Sequence, residues 1–123
     1  LLEQLTGYGL SKKGAVEDYP FGPETLVLKV GGKMFALLSQ TDAGETHISL
    51  KCDPVIAANL REQHPCVQPG YHLNKTHWNT VVADGSLPMS DLQDMIDHSY
   101  ELVLNSLTKA AREAVLLRID GKA

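Results

Sequence analysis

Thr25-Leu26-Val27-Leu28-Lys29-Val30-Gly31-Gly32-Lys33-Met34-Phe35-Ala36-Leu37-Leu38 is the stretch on which the fold turns. Its first six residues read as a β-strand, and Lys33 to Leu38 reads as the returning one. Gly31-Gly32 between them is a two-residue hairpin signal, because glycine takes positive φ with no Cβ clash. A second turn follows at Thr41-Asp42-Ala43-Gly44-Glu45. Thr46 to Lys51 then alternates, with Ile48 and Leu50 on one face. Three consecutive strands joined by short turns predict an antiparallel meander.

Outward from the meander, the spacing becomes helical. Leu1, Leu2, Leu5 and Tyr8 predict a first helix from Leu1 to about Leu10. Lys12-Lys13-Gly14 is a loop. Ala15 to Pro20 is β-compatible and allows a short extra strand near Val16. Pro20-Phe21-Gly22-Pro23 is loop punctuation. On the other side, Asp53 is a good N-cap, and Pro54 suits a first helical position where its missing N–H costs nothing. That helix ends at about Gln63, before His64-Pro65. Cys66 to Asn74 and Thr76 to Ala83 read as extended segments, and Asp84-Gly85-Ser86 as a turn. From Pro88, the stripe Leu92, Met95, Ile96, Tyr100, Val103 and Leu107 predicts one long amphipathic helix to about Leu116.

The order is therefore α-β-β-β-α-β-β-α, a two-layer α+β fold with helices on one face of an antiparallel sheet. The 123 residues suit one domain, taken as 1–117, with 118–123 as a C-terminal tail. No apolar run reaches a membrane span and no signal-peptide pattern is present, so the expectation is a cytoplasmic protein without a membrane partner. Lys+Arg 11 against Asp+Glu 15 gives a net charge of −4. That argues against coating nucleic acid or anionic lipid by bulk charge, while leaving room for a local basic patch. Two cysteines, Cys52 and Cys66, are too few and too far apart for a disulfide scaffold or a zinc site and read as reduced thiols.

Motifs of catalysis and cofactor binding are missing. There is no dinucleotide-binding glycine fingerprint, no phosphate loop and no nucleophile elbow. His72 and His77 could approach across a hairpin, but a metal would need further ligands. Glu17 and Asp18 are adjacent and, on a strand, point to opposite faces. Asp91, Asp94, Asp97 and Glu101 form an acidic helical stripe that reads as a solvated face. No cofactor and no metal are expected.

The most unusual composition lies in Pro69-Gly70-Tyr71-His72-Leu73-Asn74-Lys75-Thr76-His77-Trp78-Asn79-Thr80, which holds no acid, one Lys, two His and the one Trp. Rings beside hydrogen-bonding and basic groups suit stacking on bases with phosphate contacts. They suit a protein-binding patch equally. They also suit core anchors whose polar tips find partners.

Four ordered blocks resemble the MmcQ/YjbR family: Gly14 to Gly22, Lys29 to Ala36, Tyr71 to Val81, and Ile96-Asp97-His98-Ser99-Tyr100. The resemblance runs from near the N-terminus to about Val115. It implies a fold like frataxin-type and secretion-chaperone-type domains, in small bacterial cytoplasmic proteins for which no reaction is established. It also implies DNA binding through paired β-hairpins likened to a double wing. The wings would be the Gly31-Gly32 hairpin, with Lys29 and Lys33, and the region from Lys75 to Asn79.

The function expected is a non-enzymatic domain that binds nucleic acid weakly. Lys29, Lys33, Lys75, His77, Trp78 and Asn79 would face the partner. The alternative is a protein-interaction or chaperone-like adaptor module. Monomer and homodimer both stay open.

Overall fold

The computed structural model describes Leu1 to Leu117; the expected tail, 118–123, lies outside the described residues. The elements are α1 (Leu2–Leu10), β1 (Val16–Asp18), β2 (Leu26–Val30), β3 (Lys33–Gln40), β4 (Thr46–Lys51), α2 (Pro54–Gln63), β5 (Val67–Pro69), β6 (Trp78–Ala83), α3 (Met89–Ser106) and α4 (Lys109–Leu116). The strands form one sheet in the order β1-β2-β3-β4-β6-β5, antiparallel throughout. This is the expected α+β architecture, with the short strand at Val16 present.

The register sorts the side chains. Leu26, Leu38, Ile48, Val81 and Val67 stand side by side across five strands, and Leu28, Ala36, Leu50 and Asn79 form the next row. These rows face the helices, where Leu5, Leu92, Ile96, Tyr100, Val103 and Val115 complete the core. Each large apolar side chain so buried contributes about 1.5–3 kcal/mol. β3 carries a bulge opposite Leu28 and Lys29, with Phe35 as its extra residue. Phe35 and Ala36 therefore both enter the core, although strict alternation would separate them. The Phe35 ring meets Tyr100 edge-on, with centroids 5.4 Å apart.

α2 begins as expected, the Asp53 carboxylate accepting from the N–H groups of Val55 and Ile56. Two expectations need correction. The long C-terminal helix is two helices, broken at Leu107 and Thr108, both in extended conformation. Thr108 restarts the chain by accepting from the Ala111 N–H, while Leu107 is buried against the Gly31 hairpin tip. The extended segment read over Cys66 to Asn74 is a strand only from Val67 to Pro69. Beyond it, Gly70 donates to the Trp78 carbonyl, and the Asn74 side chain accepts from the N–H groups of Thr76 and His77, folding the loop onto itself.

Candidate functional site

Strand directions divide the connections between two ends of the sheet. At the near end lie the connection 11–15, the tip Gly31-Gly32, the exit of β4 into α2, and the loop 70–77. At the far end lie 19–25, 41–45 and 84–88. The far connections hold four carboxylates (Glu24, Asp42, Glu45 and Asp84) and no lysine or arginine. The near connections and the strand ends beside them hold Lys12, Lys13, Lys33, Lys51 and Lys75, with Asp53 the carboxylate among them. An acidic chain thus folds with its charge separated along the strand axis, and the near end is locally basic.

The expected site residues divide between surface and interior. Lys33 is exposed beside the hairpin tip, and Lys75 and His77 are exposed in the loop. Lys75 Nζ also donates to the Gly70 carbonyl at 2.9 Å. Lys29 is half-buried and pairs with Asp18 at 2.8 Å, which holds the Asp18 carboxyl below its ordinary range. Trp78 and Asn79 are inside, 9% and 3% exposed, so neither presents itself to a partner. Asn79 donates to the Ala57 carbonyl at 3.3 Å and accepts from the Arg61 guanidinium at 2.7 Å. The reason is positional: Asn79 falls in the helix-facing row beside Leu50, under α2. Gly70 packs so closely over Trp78 that a Cβ there would sit 2.7 Å from the Trp78 Cβ.

Nor is the Gly31-Gly32 tip a free wing. Gly31 has φ +58°, and a Cβ there would come within 2.6 Å of Leu107 Cδ1. The tip is docked on the α3–α4 junction and presents Lys33 from a fixed platform.

The other candidates separate. The Tyr71 and His72 rings lie 3.9 Å apart between centroids. Among the described residues no three His, Cys, Asp or Glu side chains converge on a possible metal position. Of the acidic stripe, Asp97 turns to α1, where Tyr8 donates to it at 2.7 Å and Lys12 pairs with it. Asp91 and Asp94 border a groove of about 270 Å³ between α2 and α3, whose apolar lining includes Ile56, Leu60 and Met95. Cys52 and Cys66 are buried free thiols, and burial pushes both pKa values up, away from thiolate chemistry.

The YjbR family model matches residues 10–102. The chain belongs to the YjbR family. It is 35% identical to the protein YjbR of Escherichia coli K12 over 115 residues, 94% of this chain and 97% of that one. It is 39% identical to YbdF of Escherichia coli O157:H7 over 97 residues, 79% of each chain. Among solved structures, Deinococcus radiodurans DR2400, which carries the family-model domain DUF419, superposes with a TM-score of 0.86 at 38% identity, covering 99% of this chain and 94% of that one. A Pseudomonas syringae protein superposes at 0.73 with 29% identity, over 82% and 97%. None of these names states a reaction.

The YjbR-like block Asp97-His98-Ser99-Tyr100 proves to be a set of ties within the fold. Asp97 holds α1 through Tyr8 and Lys12. His98 Nε2 accepts from the Asp53 N–H at 3.2 Å, at the start of α2. Ser99 bonds two strands, and Tyr100 donates to the Lys13 carbonyl at 2.6 Å. Four consecutive residues on α3 thus fasten α1, the start of α2, the sheet and the 11–15 connection. Sequence reasoning weighed Asp97 as part of a solvated stripe and missed this role. The spacing of the block around one helical turn, with polar atoms in every direction, was the available signal.

Proposed function

We propose that the chain is a non-enzymatic, cytoplasmic domain that binds nucleic acid weakly through phosphate contacts from the near end of its sheet. The carrying observation is the separation of charge: Lys13, Lys33, Lys51 and Lys75 at one end, Glu24, Asp42, Glu45 and Asp84 at the other. The acidic far end orients the domain, because it is repelled by the same backbone that the near end attracts. Of the residues expected to face the partner, Lys33, Lys75 and His77 are the exposed ones, and the buried Trp78 and Asn79 drop out. A few phosphates are neutralised, so affinity falls in the ordinary non-specific range of about 10⁻⁴ to 10⁻⁶ M. Titrating duplex DNA at low salt with wild type and with Lys33→Glu/Lys51→Glu tests the reading. It predicts binding that the double reversal removes; unchanged binding rejects it.

A protein-interaction module is the second reading, supported by Val55 and Ile56, exposed by 70% and 45% beside the α2–α3 groove. A stable homodimer in light scattering that Val55→Glu dissociates would favour it.

A further inference from the structure

The sheet face turned away from the helices carries a second built feature. There a trough of about 350 Å³ has Ser49 and Thr80 in its floor, with Phe21 and the Tyr71–His72 pair among its lining. Phe21 comes from the β1–β2 connection and Tyr71 and His72 from the loop before β6, so the rings stand at opposite edges of the face. Phe21 is 62% exposed and Tyr71 71%. The floor is polar and ordered: the Ser49 and Thr80 hydroxyls are 2.7 Å apart in a hydrogen bond, and Thr80 Oγ1 also accepts the Tyr71 N–H at 3.0 Å. His72 holds φ +59°, the one positive value on a non-glycine among the described residues, with its ring on that of Tyr71.

We infer that this trough seats unpaired bases of a single-stranded nucleic acid, an assignment that rests on the phosphate-binding reading above. Exposed rings at both edges suit stacking, which every base can satisfy. Hydroxyls in the floor can donate to and accept from base edges. Beside the trough, Lys29 is held by Asp18 and the His47 ring is hydrogen-bonded to Glu45, so neither offers a cation to an occupant there, which suits a neutral ring. The phosphates it carries meet Lys51, which the β4 register puts on this face, two residues beyond Ser49 and about 7 Å nearer the basic end. The floor strands β3, β4 and β6 are each paired on both sides, so an added peptide strand finds no edge there. The sheet between the rings is four strands wide (β2, β3, β4 and β6), a width on which single-strand-binding sheets stack two or three bases.

The test compares a short oligothymidylate with a duplex of equal length at low salt, for wild type, Phe21→Ala, Tyr71→Ala and Tyr71→Trp. Both alanine variants remove exposed rings, and circular dichroism checks that they stay folded. The inference predicts about a tenfold loss of single-strand affinity per ring. Duplex affinity stays unchanged and Tyr71→Trp retains the single-strand binding. Unchanged single-strand affinity in both alanine variants, with duplex binding intact, overturns the trough and leaves the basic end standing. No binding of either nucleic acid by wild type overturns both. A homodimer that Phe21→Ala dissociates overturns the trough in favour of a protein partner.

Discussion

Ser99 on α3 donates its hydroxyl hydrogen to the carbonyl of Phe35 at 2.6 Å, at the bulge of β3. The same oxygen accepts the Lys51 N–H of β4 at 2.9 Å. Ala36 pairs with Leu50, and one step further the strands would pair Phe35 with Lys51, but the bulge opens the ladder there. A fully buried serine fills the gap with one donor and one acceptor, so neither backbone group is left dry and unpaired.

Ser99→Ala should therefore destabilise the domain by about 3 kcal/mol, because it strands two buried backbone groups at once. Urea denaturation measures this. A loss below about 1 kcal/mol would mean that water replaces the hydroxyl in the gap.

Asp97 contributes to stability in a pH-dependent way. Its burial opposes ionisation, but the bonds from Lys12 and Tyr8 outweigh that and hold its pKa below the ordinary 3.8. A carboxyl depressed by folding adds stability that is fully present above the unfolded pKa and is lost as pH falls through the lower folded value. Asp97→Asn should cost about 1 kcal/mol at neutral pH, after discounting for a pair in partial contact with water, and less at pH 2, below the ordinary carboxyl range. An equal loss at both pH values would show that the carboxylate's charge is irrelevant.

Gly31 and Leu107 are coupled through contact. Gly31→Ala should cost about 2 kcal/mol, from positive φ and from collision with Leu107. Combined with Leu107→Ala, the total should fall short of the sum by about 1 kcal/mol, since the collision disappears while the backbone strain stays. Strict additivity in denaturation midpoints would mean that the tip is not docked on the α3–α4 junction.

Asn79 and Lys33 separate folding from binding. Asn79→Ala should lower stability by about 2 kcal/mol through the abandoned Ala57 carbonyl and Arg61 guanidinium, and leave the salt dependence of DNA binding as it was. Lys33→Ala should do the reverse, changing stability by less than about 0.5 kcal/mol. Paired denaturation and DNA titrations check both. Loss of DNA affinity in folded Asn79→Ala would return that residue to the interface.

Much of the fold was legible because local signals and tertiary demands agree. Gly31-Gly32 marks a hairpin, Asp53-Pro54 starts a helix, and Ile48 and Leu50 share a face in the sequence as in the structure. The break at Leu107 was hidden because Leu107 continues the apolar stripe of α3. It is buried against Gly31, a contact 76 positions back along the chain, and the Thr108 cap does not interrupt the periodicity. The site was less legible. Lys75, Trp78 and Asn79 share one short stretch of sequence, yet the entry into β6 turns Lys75 outward and takes Trp78 and Asn79 in. The basic end draws lysines from separated connections, so it becomes visible only once strand directions are known. A net charge of −4 averages it away.

The most direct test of the basic near end is the salt dependence of duplex DNA binding. For three or four phosphates neutralised by Lys13, Lys33, Lys51 and Lys75, log K should fall against log salt with a slope of about −3. Lys33→Glu/Lys51→Glu should flatten that slope to about −1 or abolish binding, while Glu45→Gln at the far end leaves it alone. No binding at low salt, or a slope that ignores the two reversals, would contradict the account.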